Sequence, residues 1–236
     1  MVVTPKSQKK PAKGHGNGPK NGVVKMKEST ATIPKGTIVM VVDEFGDLGV
    51  VSKDPNKSGG SKHFGYTVSI TDDPRGFADL TDDKRKTNGK ELKAYKDTYK
   101  GKRAVAKGMS DMNVDVRVHY VDKTNPPQGW SGKKGSSKDM DKLFHQSVND
   151  SLPKKGNVLV VVDRHSGHRN VESFLKEQSK ADLNVRGGMY DSYSGPYSEL
   201  LQTQDYAAYA ARDALDYNNR RFSDLIGMKF FRKTRL

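Results

Sequence analysis

Four aspartates stand where an apolar segment ends or where helical spacing calls for an apolar residue. The run Thr37-Ile-Val-Met-Val-Val42 stops on Asp43 and Glu44, within VVDEFGDLG (41–49). NVLVVVD (157–163) stops on Asp163, and VDVRVHYVD (114–122) stops on Asp122. Near the C-terminus Leu201, Asp205, Ala208, Ala211 and Leu215 recur at helical spacing, so Asp205 sits on the stripe that faces a sheet. Taking a carboxylate out of water costs several kcal/mol unless a cation or hydrogen-bond donors meet it, and several carboxylates within about 4–6 Å push one another's pKa values apart. A divalent cation reverses that logic. Oxygen ligands without thiolate suit Mg²⁺ or Mn²⁺, and such ions activate a water and stabilise the leaving oxygen of a phosphodiester. The candidate metal ligands are therefore Asp43, Asp122, Asp163 and Asp205. For Asp205 a structural alternative stays open, a capping or ion-paired acid.

These acids meet only if their strands end at one edge of an open α/β sheet, where ligands bind beyond the carboxyl ends. The pattern predicts strands over about 37–43 and 63–70, antiparallel through a turn-rich loop, and a short strand near 77–80. Strong helix formers over 90–108 predict a helix stopped by Gly108. A strand at 114–122, a helix at 140–152, the strand 157–163, a helix over 171–180, a strand over 182–190 and a long helix over 197–218 follow. Strands alternating with helices, without internal repeat, indicate an α/β layer fold. The segments NKSGGSK (56–62) and SGKKGSSK (131–138) read as mobile loops, because they lack the Gly-Lys-Ser/Thr order of a phosphate-binding loop. Trp130 reads as a loop anchor or a base-stacking ring.

The 236 residues carry a net charge of +14, with 33% hydrophobic residues and a mean hydropathy of −0.83, which suggests that disordered segments dilute a normal core. Residues 1–36 hold eight Lys against Glu28, a net +7, and residues 219–236 contribute +5, leaving +2 for residues 37–218. The expected organisation is a disordered basic arm (1–36), one domain (37–218) and a basic C-terminal tail (219–236). Clustered cations of this kind select a polyanion, with Lys9, Lys10, Lys13, Arg220, Arg221, Arg232 and Lys233 as candidate nucleic-acid contacts. The absence of cysteine excludes disulfides and thiolate metal sites. With neither a membrane-span-length apolar run nor a signal-peptide core, a cytoplasmic protein is expected. DRHSGHR (163–169) sets His165 and His168 beside Asp163, either as proton-transfer or phosphate-binding groups or as part of a solvated loop.

Taken in order, VVDEFGDLG, HFGYTVSI, VHYVDK, LVVVDRHSG and YDSYSGPYSELLQTQDYAAYAAR resemble the family called domain of unknown function 3800, over about residues 37–217. The resemblance implies a ribonuclease H-like fold, a mixed sheet flanked by helices, in which an acid on the first strand and an acid on the last helix bracket a two-metal nuclease site. It matches Asp43 and Glu44 to the opening acids, Gln202 and Asp205 to the closing pair, Asp163 to the acid ending a later strand, Asp191 and Ser192 to a turn, and Asp122 with Lys123 to a strand-end pair. Phe45 stands where the family has serine. The function so implied is a metal-dependent nuclease with Asp43, Glu44, Asp163 and Asp205 as its catalytic acids. The alternatives are an inactive nucleic-acid-binding or assembly protein that uses its basic tails, and hydrolysis of a small nucleotide, which would leave those tails unexplained.

Overall fold

The computed structural model describes residues 22–27, 31–48, 51, 60–88, 92–130, 137–164, 168 and 170–236. Among these, the main sheet has six strands in the order β7-β6-β3-β4-β5-β8: β3 (Thr37–Gly46), β4 (His63–Thr71), β5 (Asp115–Asp122), β6 (Gly156–Asp163), β7 (Leu183–Tyr190) and β8 (Lys229–Arg232). β4 runs antiparallel to β3 and β5, while β6 and β7 continue parallel to β3, and β8 runs parallel to β5. Five strands therefore point one way and only β4 the other. A mixed α/β sheet is what alternating strands and helices build.

Two helical layers cover the sheet because β3 and β6 are apolar on both faces, as a central parallel pair must be. Met40, Val42, Val158, Val160 and Val162 meet Leu143, Phe144 and Val148 of α4 (Ser137–Asn149) and Phe174 and Leu175 of α5 (Val171–Glu177). On the other face Val39, Val41, Leu159 and Val161 share a core with Phe77 of α1 (Pro74–Asp79), Val105 and Met109 of α3 (Tyr99–Asp111), and Leu200, Leu201 and Ala207 of α6 (Ser198–Asp216). A short α2 (Asp82–Asn88) follows α1. No helix among the described residues is long and apolar enough to cross a membrane.

Four expectations change. The strand expected near 77–80 is helix α1, because Asp73 caps it by accepting the Gly76 amide at 2.9 Å and Pro74 opens it. The helix expected over 90–108 splits into a 3-10 turn, Ala94–Lys96, and α3, whose cap is Thr98 accepting the Gly101 amide at 3.0 Å. Gly108 does not end α3. A Cβ there would lie 2.3 Å from Leu80 Cδ2, so this glycine is where Leu80 packs onto the helix.

The termini change most. Within the supposed arm, β1 (Val23–Lys25) and β2 (Thr32–Pro34) form a hairpin that puts Ile33 (0% exposed) and Met26 into the α6-side core. Residues 1–21, and with them Lys9, Lys10 and Lys13, lie outside the described residues. Replacing Ile33 by Ala should cost about 2–5 kcal/mol by denaturant unfolding; an unstructured arm would give no change. Residues 219–236 are not a tail. They carry α7 (Arg221–Ile226), which buries Phe222 and Ile226, and β8. Composition misled here because lysines and arginines on an edge strand can be ion-paired while the alternate positions pack.

Candidate functional site

On β3, residues 39, 41, 43 and 45 face α6. The parallel ladder to β6 ends at Val42↔Val162, so Asp43 and Asp163 leave it side by side, on the same face as Val41 and Val161. Both are buried, at 9% and 6% exposed. The last helix brings the third acid. Gln204 of α6 donates from Nε2 to the Thr67 carbonyl at 3.1 Å and to Thr67 Oγ1 at 2.9 Å. Thr67 is the β4 partner of Asp43, and its hydroxyl donates to the Asp43 carbonyl at 3.3 Å. This clamp fixes α6 where the next residue, Asp205, reaches the end of β3. Ala207, Ala208, Ala210 and Ala211 let the helix come close.

The electrostatics record the convergence. Burial first, then the negative charges of Glu44, Asp205 and Asp163, hold the Asp43 carboxyl well above the usual carboxylate range, against a smaller opposing pull from Lys93. Asp205 also accepts the Ala94 amide through Oδ2, so it anchors the 3-10 turn as well as facing the cluster. The structural alternative and the cluster reading thus both describe it. Asp205 opens onto a cavity shared with Glu44, Phe45, Gly46, Tyr95, Ala208, Tyr209 and Arg212. Among the described residues no three His, Asp or Glu side chains are drawn up as a ready-made metal cage. The chemistry of the donor set, hard oxygens crowded in a partly buried place, nevertheless fits a divalent cation.

Of the remaining sequence candidates, Asp122 lies elsewhere, and Glu44 borders the cavity from the other side of the strand pleat. Asp122 is paired in register with His63, four residues along β4 from the Asp43↔Thr67 level, hence roughly 13 Å further along the strands. It is held by Thr124 Oγ1 at 2.5 Å and by Arg232 at 3.1 Å. Burial pushes its carboxyl up, but these partners bring it below the usual range. Asp122 is thus a partner of β8 and does not join the cluster. Glu44, next to Asp43, is turned by the pleat to the opposite face, where its register partner is the fully buried Tyr66. Burial, then Glu44 and Asp141, hold the Tyr66 hydroxyl well above its usual pKa.

His168 belongs to that second face too. Its ring stacks on Phe144 at 4.2 Å and its Nδ1 lies 2.9 Å from Asp141. Burial lowers its pKa, which Asp141 opposes. It is a packed imidazole and not the solvated loop residue of one reading; His165 lies outside the described residues. Gln202 donates to the Ser192 carbonyl at 2.8 Å, and Asp191 accepts the Tyr193 and Ser194 amides at 2.7 and 3.1 Å, so this pair builds the turn entering α6. Trp130 is an anchor, its ring 6.4 Å from Phe64.

The C-terminal cations are engaged within the fold. Lys229 pairs with Asp115 at 2.7 Å, Arg232 with Asp122, and Lys233 with Asp150. Arg220 lies 3.7 Å from Asp224 and over the Phe230 ring, while Arg221 is exposed. Arg232 and Lys233 therefore pin β8 to the sheet, which is a different task from the phosphate contacts expected of them. Sequence reasoning missed Thr67, Gln204 and Lys93. The polar run Gln202-Thr-Gln-Asp205 inside an otherwise apolar helix was the available signal, since at least one of its members had to be buried and hydrogen-bonded. No family model, no curated protein and no solved structure matches the chain.

Proposed function

We propose that the protein is a metal-dependent nuclease of ribonuclease H-like architecture, related to the domain of unknown function 3800 family. The observation that carries this reading is the placement of Asp43 and Asp163, both buried, side by side where the β3–β6 ladder ends, with Asp205 of α6 held toward that end by the Gln204–Thr67 clamp. Carboxylates gathered from two strand ends and a helix oppose folding unless they have a task, and perturbed acids of this sort cluster at functional sites. The strand order supports the fold: an antiparallel β3-β4-β5 meander followed by parallel β6 and β7, with α6 lying on the first strand of the meander.

Asp43, Asp163 and Asp205 would hold one or two Mg²⁺ or Mn²⁺ ions. Bound there, such ions polarise a phosphodiester and lower the pKa of a water. The chain's own residues do the rest of the positioning. The ladder fixes Asp43 against Asp163, the Gln204–Thr67 clamp fixes Asp205, and Phe45 with Ala208 supplies the apolar part of the cavity wall. Glu44 acts from the second face, by repulsion on Asp43, and is a positioning residue in this scheme.

A second reading, a binder without chemistry, is favoured by Asp205 being tied to the Ala94 amide and by Phe45 replacing a serine. Incubation of the full chain with labelled RNA and DNA in Mg²⁺ or Mn²⁺ separates the two. The nuclease reading expects cleavage that chelator removes and that Asp205→Asn lowers by at least about a hundredfold, a loss typical of a group that stabilises transition-state charge. Binding by the wild type without cleavage would leave the binder.

A further inference from the structure

The cavity beside Asp205 has a rim that the acids do not explain. Tyr95 and Tyr209 line it, and Tyr95 is 63% exposed. An aromatic ring exposed at the mouth of a cleft offers a face on which a planar partner can stack. Cations accompany these rings. Lys96 Nζ lies 5.3 Å from the Tyr95 ring centre, Lys102 Nζ lies 4.2 Å from that of Tyr209, and Arg212 lines the same cavity with its side chain half exposed. Arg212 has only a 3.9 Å approach to Asp216, at the limit of an ion pair.

The placement of Tyr95 is fixed relative to the acid. Asp205 accepts the amide of Ala94, the residue before Tyr95, so the 3-10 turn carrying the ring is tied directly to the carboxylate. The backbone that carries the ring is therefore anchored beside Asp205. Alternating aromatic rings and cations along a groove are how proteins hold unpaired strands: every base has a face to stack, and the cations track the phosphates. A duplex offers phosphates to the same cations but hides its base faces in the stack, which would leave Tyr95 unused.

We infer that this rim is a stacking platform for single-stranded nucleic acid, with a base on Tyr95 and the adjoining phosphates at Lys96, Lys102 and Arg212, laying the strand across Asp205. The inference deepens the nuclease reading by naming its substrate class, and so rests on that reading for its purpose but not for its test.

The test is fluorescence anisotropy of the full chain with end-labelled strands of about 12 nucleotides, as single-stranded RNA, single-stranded DNA and the DNA duplex, all in chelator so that nothing is cut. At one salt concentration the wild type should hold at least one single strand about tenfold more tightly than the duplex. Tyr95→Ala should lose on the order of tenfold for that strand, Tyr95→Phe should keep its affinity, and neither should change duplex binding. The RNA and DNA arms then tell which sugar the platform takes. Unchanged melting of Tyr95→Ala shows that the fold is intact, as expected for an exposed ring. Single-strand affinity that survives Tyr95→Ala, or duplex binding equal to single-strand binding, overturns the platform. Failure of the nuclease reading looks different: strand binding that depends on Tyr95 in a wild type that never cuts would leave the platform standing without catalysis. Cleavage with no Tyr95 dependence would do the reverse.

Discussion

A chain ending at residue 218 is expected to be unfolded or aggregated at room temperature. Residues 219–236 supply Phe222 and Ile226 to the core shared by α3 and α6, each about 5% exposed. Losing such side chains costs about 3–5 kcal/mol for Phe and 2–5 kcal/mol for Ile. The deletion also bares the β5 edge, whose register with β8 runs from Arg117↔Lys229 to Tyr120↔Arg232, and takes Lys229, Arg232 and Lys233 away from Asp115, Asp122 and Asp150, of which Asp115 keeps Arg117. The sum is comparable with the whole stability of an ordinary domain, about 5–15 kcal/mol. Circular dichroism and size-exclusion chromatography of the shortened chain check this. A solubilising tail would come away with no change in melting temperature, and that outcome would mean β8 and α7 are dispensable. Phe222→Ala, at about 3–5 kcal/mol, gives the graded form of the same test.

Asp43→Asn should stabilise the metal-free protein at neutral pH while ending its activity. The folded-state pKa of Asp43 lies above the unfolded value of about 3.8. Between those two values the native state binds more protons than the unfolded one, so stability contributed by this group is full below about pH 3.8 and is lost as pH rises through the raised native value. At neutral pH the buried, crowded carboxyl is therefore a cost. Asparagine removes the charge, keeps the shape and adds donors toward Asp163 and Asp205, for a gain of about 1–3 kcal/mol, or on the order of 5 °C in Tm. Two thermal-shift readouts follow. The gap between the variant's Tm and that of the wild type should widen as pH rises from acid to neutral, and added Mn²⁺ should raise the Tm of the wild type but not that of Asp43→Asn. A variant that melts lower than wild type at neutral pH would show instead that the Asp43 carboxylate is a structural partner in the metal-free fold.

The central sheet, and the side-by-side ends of Asp43 and Asp163 on it, were legible because their signals are local and strong. Continuous Val/Ile runs ending on Asp43 and Asp163 specify buried parallel strands whose ends coincide, and helical spacing places Asp205 against them. The side on which each acid falls was less legible. Strand pleat alone separates Glu44 from Asp43, yet adjacency in sequence invites reading them as a pair. Asp122 ends an apolar strand as convincingly as Asp163 does, but it lies beyond β4 from β3, a matter of sheet order that no local pattern encodes. The termini were misread for the converse reason. Lysines and arginines dominate their composition, and their few apolar residues, Met26, Ile33, Phe222 and Ile226, are too sparse to show a period although each finds a place in the core.

The way the three acids are mounted bears on which ion such a site would prefer. Asp43 and Asp163 stand on neighbouring strands of one hydrogen-bonded lattice, so the gap between them is set by strand spacing and can scarcely stretch. Asp205 rides on α6, which packs on that lattice through Leu201, Ala207, Ala208 and Ala211 and is pinned to it by Gln204 and Thr67. Any adjustment to ionic radius would therefore fall on a single degree of freedom, the slide of one helix over the strands. Discrimination between a small, strictly octahedral ion and a larger, more tolerant one would then depend on how firmly that helix is seated as well as on the carboxylates themselves.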